Sequence, residues 1–188
     1  MIGRSYPIMS SRPALSVSLY VLGRRCLVIG EGPMAAERAG RLSAAGAEVI
    51  LVPRPEYRAE LLNGAFMAFC CDAQLGPTVS RDARLRGVLV YVLDQPALSD
   101  LAMPALVRRG PVQLAVSTDG VAPSLARRLR GELEHLFAQN GVDFDAFVEE
   151  MARLREDIAP AARREQLYEV ASRLRIEGEV VIDPGDEG

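Results

Sequence analysis

The sequence predicts an α/β protein built on a shortened, Rossmann-like, doubly wound parallel sheet. Two observations carry that prediction. Short apolar runs alternate with helix-length segments between residues 26 and 93, the order that places helices on both faces of a parallel sheet. Within that order, Gly30-Glu31-Gly32-Pro33-Met34-Ala35 matches G-x-G-x-x-A between a strand and a helix. Such a turn sets backbone N–H groups and a helix N-terminus against a pyrophosphate.

Taken in order, residues 1–13 are polar and Pro-containing and read as a loose arm. Leu15–Leu22 alternates at its start and is rich in strand formers, which predicts an edge strand ending at Gly23. Cys26–Ile29 is an apolar run suited to a buried parallel strand. Gly30 permits the tight turn that follows, Gly32 lets a phosphate approach the backbone, and Ala35 allows close packing of helix on strand. Pro33 suits the first helical position, where its missing N–H costs nothing, and with Met34 it completes the expected cofactor-binding turn. Gly46 ends the helix and Ala47–Val52 forms the second strand. Pro53-Arg54-Pro55 breaks that strand, and Glu56–Leu62 has room for about two helical turns. Asn63-Gly64 signals a turn before the buried strand Ala65–Cys70. Gly76-Pro77 opens a helix to about Arg86, stopped by Gly87. Val88–Leu93 is a strong strand, closed by Asp94-Gln95-Pro96.

The pattern changes near residue 102. Ala102–Arg108 and Val112–Ser117 flank Arg109-Gly110-Pro111 as a hairpin, with Pro104 placing its first strand at an edge. Ser117-Thr118-Asp119-Gly120 is a polar turn, and Pro123 starts a helix to about Phe137, on which Leu125, Leu129 and Leu136 share a face. Gln139-Asn140-Gly141 is a break. Phe144, Phe147, Val148, Met151, Leu154 and Ile158 recur at helical spacing, Leu167, Val170 and Leu174 define a last helix, and residues 176–188 form an acidic tail. The expected domains are residues 1–101, 102–141 and 142–188.

The 188 residues are 49% hydrophobic and 25% charged, as in a globular protein with a real core. A net charge of −3 gives no global sign of nucleic acid or an anionic membrane as partner. All 22 basic residues are Arg, which fits a GC-rich genome and also suits a ligand with several carboxylates. The three cysteines lie in or beside apolar runs and read as reduced thiols. No signal-peptide layout or membrane-length apolar run is present, so a cytoplasmic protein is expected. His135 is the only histidine, and no metal-ligand spacing is found.

Four stretches together resemble the precorrin-2 dehydrogenase family, the N-terminal module of siroheme synthase that sometimes doubles as sirohydrochlorin ferrochelatase. They are Gly23–Arg38, Val90–Pro96, Met103–Gly120 and Ala122–Arg130, and the likeness extends over about residues 17–137. The resemblance implies an NAD-binding domain, a strand-and-helix dimerisation region and a small helical domain, assembled as a homodimer. It implies oxidation of precorrin-2, a tetrapyrrole, to sirohydrochlorin with NAD as hydride acceptor. The family's catalytic aspartate falls on Asp94. Independently, a carboxylate just past the C-terminal end of a parallel strand borders the ligand crevice, whereas the plain reading of Asp94 is a turn cap. Thr118 falls where some members carry a serine near the substrate, and Ser117 precedes it; a polar turn before a helix explains both as well. Arg127, Arg128 and Arg130 suit either carboxylates or a solvated face.

The chain departs from the family pattern at several points. Glu31 replaces the middle glycine of the phosphate turn. No acid ends the second strand; Arg54 and Pro55 occupy the ribose position, which leaves NADP open beside NAD. The stretch between Val52 and Ala65 is shorter by a strand and part of a helix. Cys70-Cys71-Asp72 stands for Thr-Asp-Asp, and Tyr91 for an asparagine. Two further readings therefore stay open: a diverged tetrapyrrole- or nucleotide-binding protein without turnover, and a sirohydrochlorin metal chelatase without redox activity.

Overall fold

In the computed structural model, residues 14–139 and 144–177 are described. Four strands, β1 (Arg25–Ile29), β2 (Glu48–Val52), β3 (Met67–Cys70) and β4 (Leu89–Val92), pair in parallel in the order β2-β1-β3-β4. Helix α1 (Pro33–Ala44) connects β1 to β2, and α2 (Gly76–Leu85) connects β3 to β4. The chain steps outward from β1 to β2, then returns to the other side of β1. The strand order therefore reverses between β1 and β3, the place where open α/β sheets bind ligands.

Alternation along the central strand explains the two cores. Leu27 and Ile29 pack with Leu62, Ala68, Cys70, Val79, Ala83, Val90 and Val92, whereas Cys26 and Val28 pack with Ala35, Ala39, Leu42, Met67 and Phe69. Successive side chains point to opposite faces, so an unbroken apolar run serves both layers. Helix α1 ends in a Schellman motif. Gly46, at φ 81, donates to the Ser43 carbonyl at 2.9 Å, and Ala47 donates to the Leu42 carbonyl at 3.0 Å. Gly87 ends α2 in the same way, as the sequence predicts.

The two sheet edges differ. The β4 edge is covered by its own following loop: Val92 N–H donates to Ser99 Oγ at 2.8 Å and Asp100 N–H to the Val90 carbonyl at 2.7 Å. At β2 no further strand pairs among the described residues, and Leu51 is 58% exposed, in keeping with the shortened stretch after Val52. Within that stretch, where the sequence left room for about two helical turns, the chain forms two 3-10 turns, Arg54–Glu56 and Ala59–Leu62. Pro53 and Pro55 interrupt it, and buried Tyr57 and Leu62 draw it onto the sheet. The Tyr57 hydroxyl donates to buried Asp82 on α2 at 3.1 Å. Burial and the adjacent Asp82 carboxylate hold this phenol protonated well above its ordinary range.

One expectation is corrected. Leu15–Leu22 is not a strand: residues 14–20 are irregular, and Leu15, Tyr20 and Leu22 are exposed. Strand propensity needs a ladder to join, and among the described residues this segment pairs with no strand, not even the open β2 edge. The segment still ends in a turn at Gly23, whose N–H donates to the Gly46 carbonyl at 2.8 Å.

Contacts divide the chain into two compact units, Met1–Pro104 with Ser117–Pro123, and Ala105–Val116 with Ser124–Gly188. The second holds an antiparallel hairpin, β5 (Ala105–Arg109) and β6 (Val112–Val116), closed by Gly110-Pro111. With it come nearly all of α3 (Pro123–Gln139), then α4 (Phe144–Asp157) and α5 (Pro160–Ala171). The rings of Phe137 and Phe144 meet at 5.0 Å, and Arg173 pairs with Glu150 at 3.1 Å. Leu125 and Leu129 on α3 remain exposed. Among the described residues no helix is long and apolar enough to cross a membrane. The expected arm at 1–13, the break at 140–141 and the tail beyond 177 lie outside the described residues.

The Tyr57–Asp82 bond ties the shortened segment to α2, and the Arg86 guanidinium donates to Asn63 Oδ1 at 3.1 Å at the helix end. Tyr57→Phe should lower unfolding stability by about 1–2 kcal/mol, because a buried acceptor loses its donor. Urea denaturation at neutral pH measures this.

Candidate functional site

The site grows from the C-terminal ends of β1 and β3. Gly30 N–H donates to the Val52 carbonyl at 2.9 Å and Cys71 N–H to the Ile29 carbonyl at 2.7 Å, so the ladder continues one residue past each strand. Gly30 is buried at φ 110, and a Cβ there would lie 3.2 Å from both the Asp72 nitrogen and the Cys71 carbonyl carbon. Backbone conformation and space both require glycine. Gly32, at φ 90, faces open space instead. Ala35 is buried against β1, the close packing expected of it.

Pro33 opens α1, Met34 is half-buried, and the first turn contains no acidic residue and no side-chain cap. The leading N–H groups of such a helix end have no intrahelical partner and carry the positive end of its dipole. Glu31 is exposed. Open space over Gly32, together with an uncapped and acid-free helix start, fits a dinucleotide pyrophosphate.

Arg54 and Pro55 lie in the 3-10 turn after β2. The Arg54 guanidinium is engaged by the Asp72 carboxylate at 3.6 Å and by the Gln74 side chain. Because β1 lies between β2 and β3, this pair spans the C-terminal end of β1. Asp72 also accepts N–H bonds from Gln74 and Leu75, at 2.8 and 2.9 Å, ahead of α2. Sequence reasoning missed this role for Asp72; an Asp four residues before a Gly-Pro helix start was the available signal.

Asp94 follows β4 at the same end of the sheet. It sits in a turn closed by Gln95 N–H to the Val92 carbonyl at 3.2 Å, at φ 55, and is exposed. Among the described residues its carboxylate has no hydrogen-bond or ion-pair partner, so it caps nothing. The backbone is thus in a conformation that side chains rarely adopt, while the carboxylate is uncommitted. Such outliers concentrate at functional sites.

Ser117 and Thr118 behave differently. Thr118 Oγ1 accepts from Ala122 N–H at 3.2 Å and Ser117 Oγ from Asp119 N–H at 3.3 Å. Both hydroxyls serve the turn before α3, and no hydrogen bond among the described residues joins them to Asp94 or the phosphate turn. Along α3, Arg128 pairs with Glu132 on the exposed face, while Arg130 lies 3.6 Å from Glu134 with its Nε shut from solvent. His135 is exposed, and no group of residues suited to a metal ion occurs among the described residues.

Comparison with known proteins places this geometry. A family model described as NAD(P)-binding matches residues 17–105, and one described as sirohaem biosynthesis protein central matches residues 109–136. A siroheme synthase from Methylobacillus flagellatus is 34% identical over 144 residues, covering 65% of this chain and 31% of that protein. Another, from Ectopseudomonas mendocina, is 37% identical over 132 residues, covering 60% and 28%.

Over the residues that these two models match, the chain is similar to siroheme synthases. It matches less than a third of the length of these relatives. A solved structure of SirC, precorrin-2 dehydrogenase, shares the fold with a TM-score of 0.67 at 21% identity, covering 84% of this chain and 89% of that one. Of the positions where the sequence departs from the resemblance, Cys71 borders the phosphate turn through its backbone. Cys70 is fully buried and Cys71 half-buried, and Tyr91 packs on Phe69 with ring centroids 5.5 Å apart.

Burial pushes the Cys70 thiol up to about 11, against about 8.5 in an unfolded chain. The folded state therefore holds this proton more tightly. Its contribution to stability is complete below about pH 8.5 and is lost as pH rises through about 11. Cys70→Ala should flatten the fall in unfolding free energy across that window, measured by denaturant titrations at several alkaline pH values.

Proposed function

We propose that this protein is an NAD-dependent precorrin-2 dehydrogenase, yielding sirohydrochlorin, with Asp94 as the acid–base group. One observation carries the reading: the glycine turn before α1 and the uncommitted carboxylate of Asp94 lie along the same end of one parallel sheet. Similarity to siroheme synthases, with the NAD(P)-binding match, suggests the reaction class.

In this reading Gly30, Gly32, Pro33 and Met34 hold the pyrophosphate. Gly32 offers approach without a side chain, and the start of α1 offers N–H donors and its dipole. Bound NAD supplies the hydride acceptor. Asp94 takes the proton that the macrocycle loses as its hydride departs, since a carboxylate is a competent base within hydrogen-bond reach. Held after the edge strand β4, it reaches the crevice without a competing donor. Arg54 and Pro55 border the adenosine side. Because the Arg54 guanidinium is committed to Asp72 and Gln74, it offers no free fork for a ribose 2′-phosphate, which supports NAD over NADP. Ser117 and Thr118 are proposed substrate contacts through hydroxyl protons that their turn bonds leave free. The hairpin and α3, within residues 102–141, are proposed as the dimerisation region of a cytoplasmic homodimer, consistent with the exposure of Leu125 and Leu129.

The test is NADH formation from precorrin-2 and NAD⁺. Asp94→Ala should lower turnover by about 10²–10⁴-fold, the usual worth of a positioned acid–base group. Calorimetric NAD⁺ affinity and dimer content should stay near wild type. Full turnover in Asp94→Ala would remove the assignment. Metal insertion into sirohydrochlorin without nucleotide, in a chain that forms no NADH, would replace the reading with a chelatase.

A further inference from the structure

The buried face of α1 carries one residue that its packing does not explain. Ala35, Arg38, Ala39 and Leu42 occupy i, i+3, i+4 and i+7 and are all buried. Three are apolar, as a core-facing stripe requires; the fourth is a guanidinium. Arg38 is only 9% exposed, and its Nε is shut from solvent with no hydrogen-bond partner. Its nearest carboxylate, Glu37, lies 4.0 Å away, is itself 40% exposed, and is held by Arg41 at 2.6 Å. Its guanidinium carbon also lies over the face of Tyr91, 5.5 Å from the ring centroid. A buried cation so poorly paired is costly, and a leucine at this position would continue the stripe.

The surroundings point to what completes the pair. Cys71 feels this cation directly: burial raises the thiol most, while Arg38 draws it down and Glu37 raises it. The Cys71 carbonyl carbon is one of the two backbone atoms that a Cβ on Gly30 would meet at 3.2 Å. Arg38 therefore faces the region where β1 and β3 end, on the α1 side of the sheet, beside Cys71 and Tyr91.

We propose that Arg38 is an anion receptor of the crevice, holding a carboxylate or phosphate oxygen of a bound ligand. The planar fork of a guanidinium suits either group. The inference rests on the proposed function for the two ligands on offer: the dinucleotide carries phosphates and the macrocycle carries carboxylates.

The experiment compares the full chain with Arg38→Met. Thermal unfolding is followed alone, with inorganic pyrophosphate and with citrate, and NAD⁺ and sirohydrochlorin are titrated by calorimetry. Without anions, Arg38→Met should unfold at the wild-type temperature or above, since an apolar isostere relieves an unpaired buried charge. It should lose the anion-induced rise in unfolding temperature and bind one ligand at least about tenfold more weakly. Loss toward NAD⁺ identifies a phosphate, and loss toward sirohydrochlorin a carboxylate. If the wild type binds neither ligand, the functional reading fails, and the pyrophosphate and citrate shifts still decide: present in wild type and absent in the variant supports the receptor. Equal anion responses and equal affinities in the two proteins overturn it and leave Arg38 a packing residue on Tyr91. Should the Met variant not fold, Arg38→Gln is read by the same criteria.

Discussion

The structure depends on how closely the end of β1 approaches the end of β3. Gly30 lies between the Val52 carbonyl and the Asp72 backbone, with no room for a side chain. That contact lets the ladder run one residue beyond both strands before the chain turns away. It fixes where α1 begins and where the segment leading to α2 must bend. Since all four strands are parallel, every functional loop of this unit leaves from the same end. The phosphate turn, the Arg54–Asp72 pair and Asp94 are brought together by topology rather than by direct contact.

Asp72 links that approach to the shortened segment. One carboxylate oxygen receives the Gln74 and Leu75 N–H groups, and the other faces Arg54. The same residue thus sets the entry to α2 and restrains the loop after β2. In a sheet with one more strand beyond β2, that loop would be supported by its neighbour. Here two 3-10 turns replace it, held by Tyr57 on Asp82 from one side and by Arg54 on Asp72 from the other. Leaving β2 as a bare edge exposes Leu51, yet the crevice end of the strand remains fixed.

Much of this was legible in the sequence because glycine and proline act locally. Gly46 and Gly87 announce helix ends through their positive φ, and Pro33 and Pro77 announce helix starts. The apolar runs of β1, β3 and β4 are short and bounded, which marks them as buried strands. Leu15–Leu22 misleads because alternation reports propensity, whereas a strand requires a partner that only the sheet order reveals. The 3-10 turns were equally hidden, since they follow from the tertiary pull on Tyr57 and Leu62. Arg38 was invisible for a different reason. Its cost arises from burial and from the engagement of Glu37 with Arg41, and neither can be read from a charge within a helix.

The division of labour among the aspartates bears on which group can do chemistry. Asp82 is buried under Tyr57 and Arg81. Asp100 receives Val90 N–H and pairs with Arg84 at 3.2 Å. Asp72 is committed as described above. Each of these carboxylates accepts hydrogen bonds or ion pairs that hold an element of the fold in place. Asp94 alone among the four keeps its carboxylate uncommitted, while its backbone is held in the left-handed region by a turn that follows an edge strand. A carboxylate can cycle a proton without disturbing the sheet only if nothing in the fold depends on its charge. Asp94 meets that condition, and its neighbours do not.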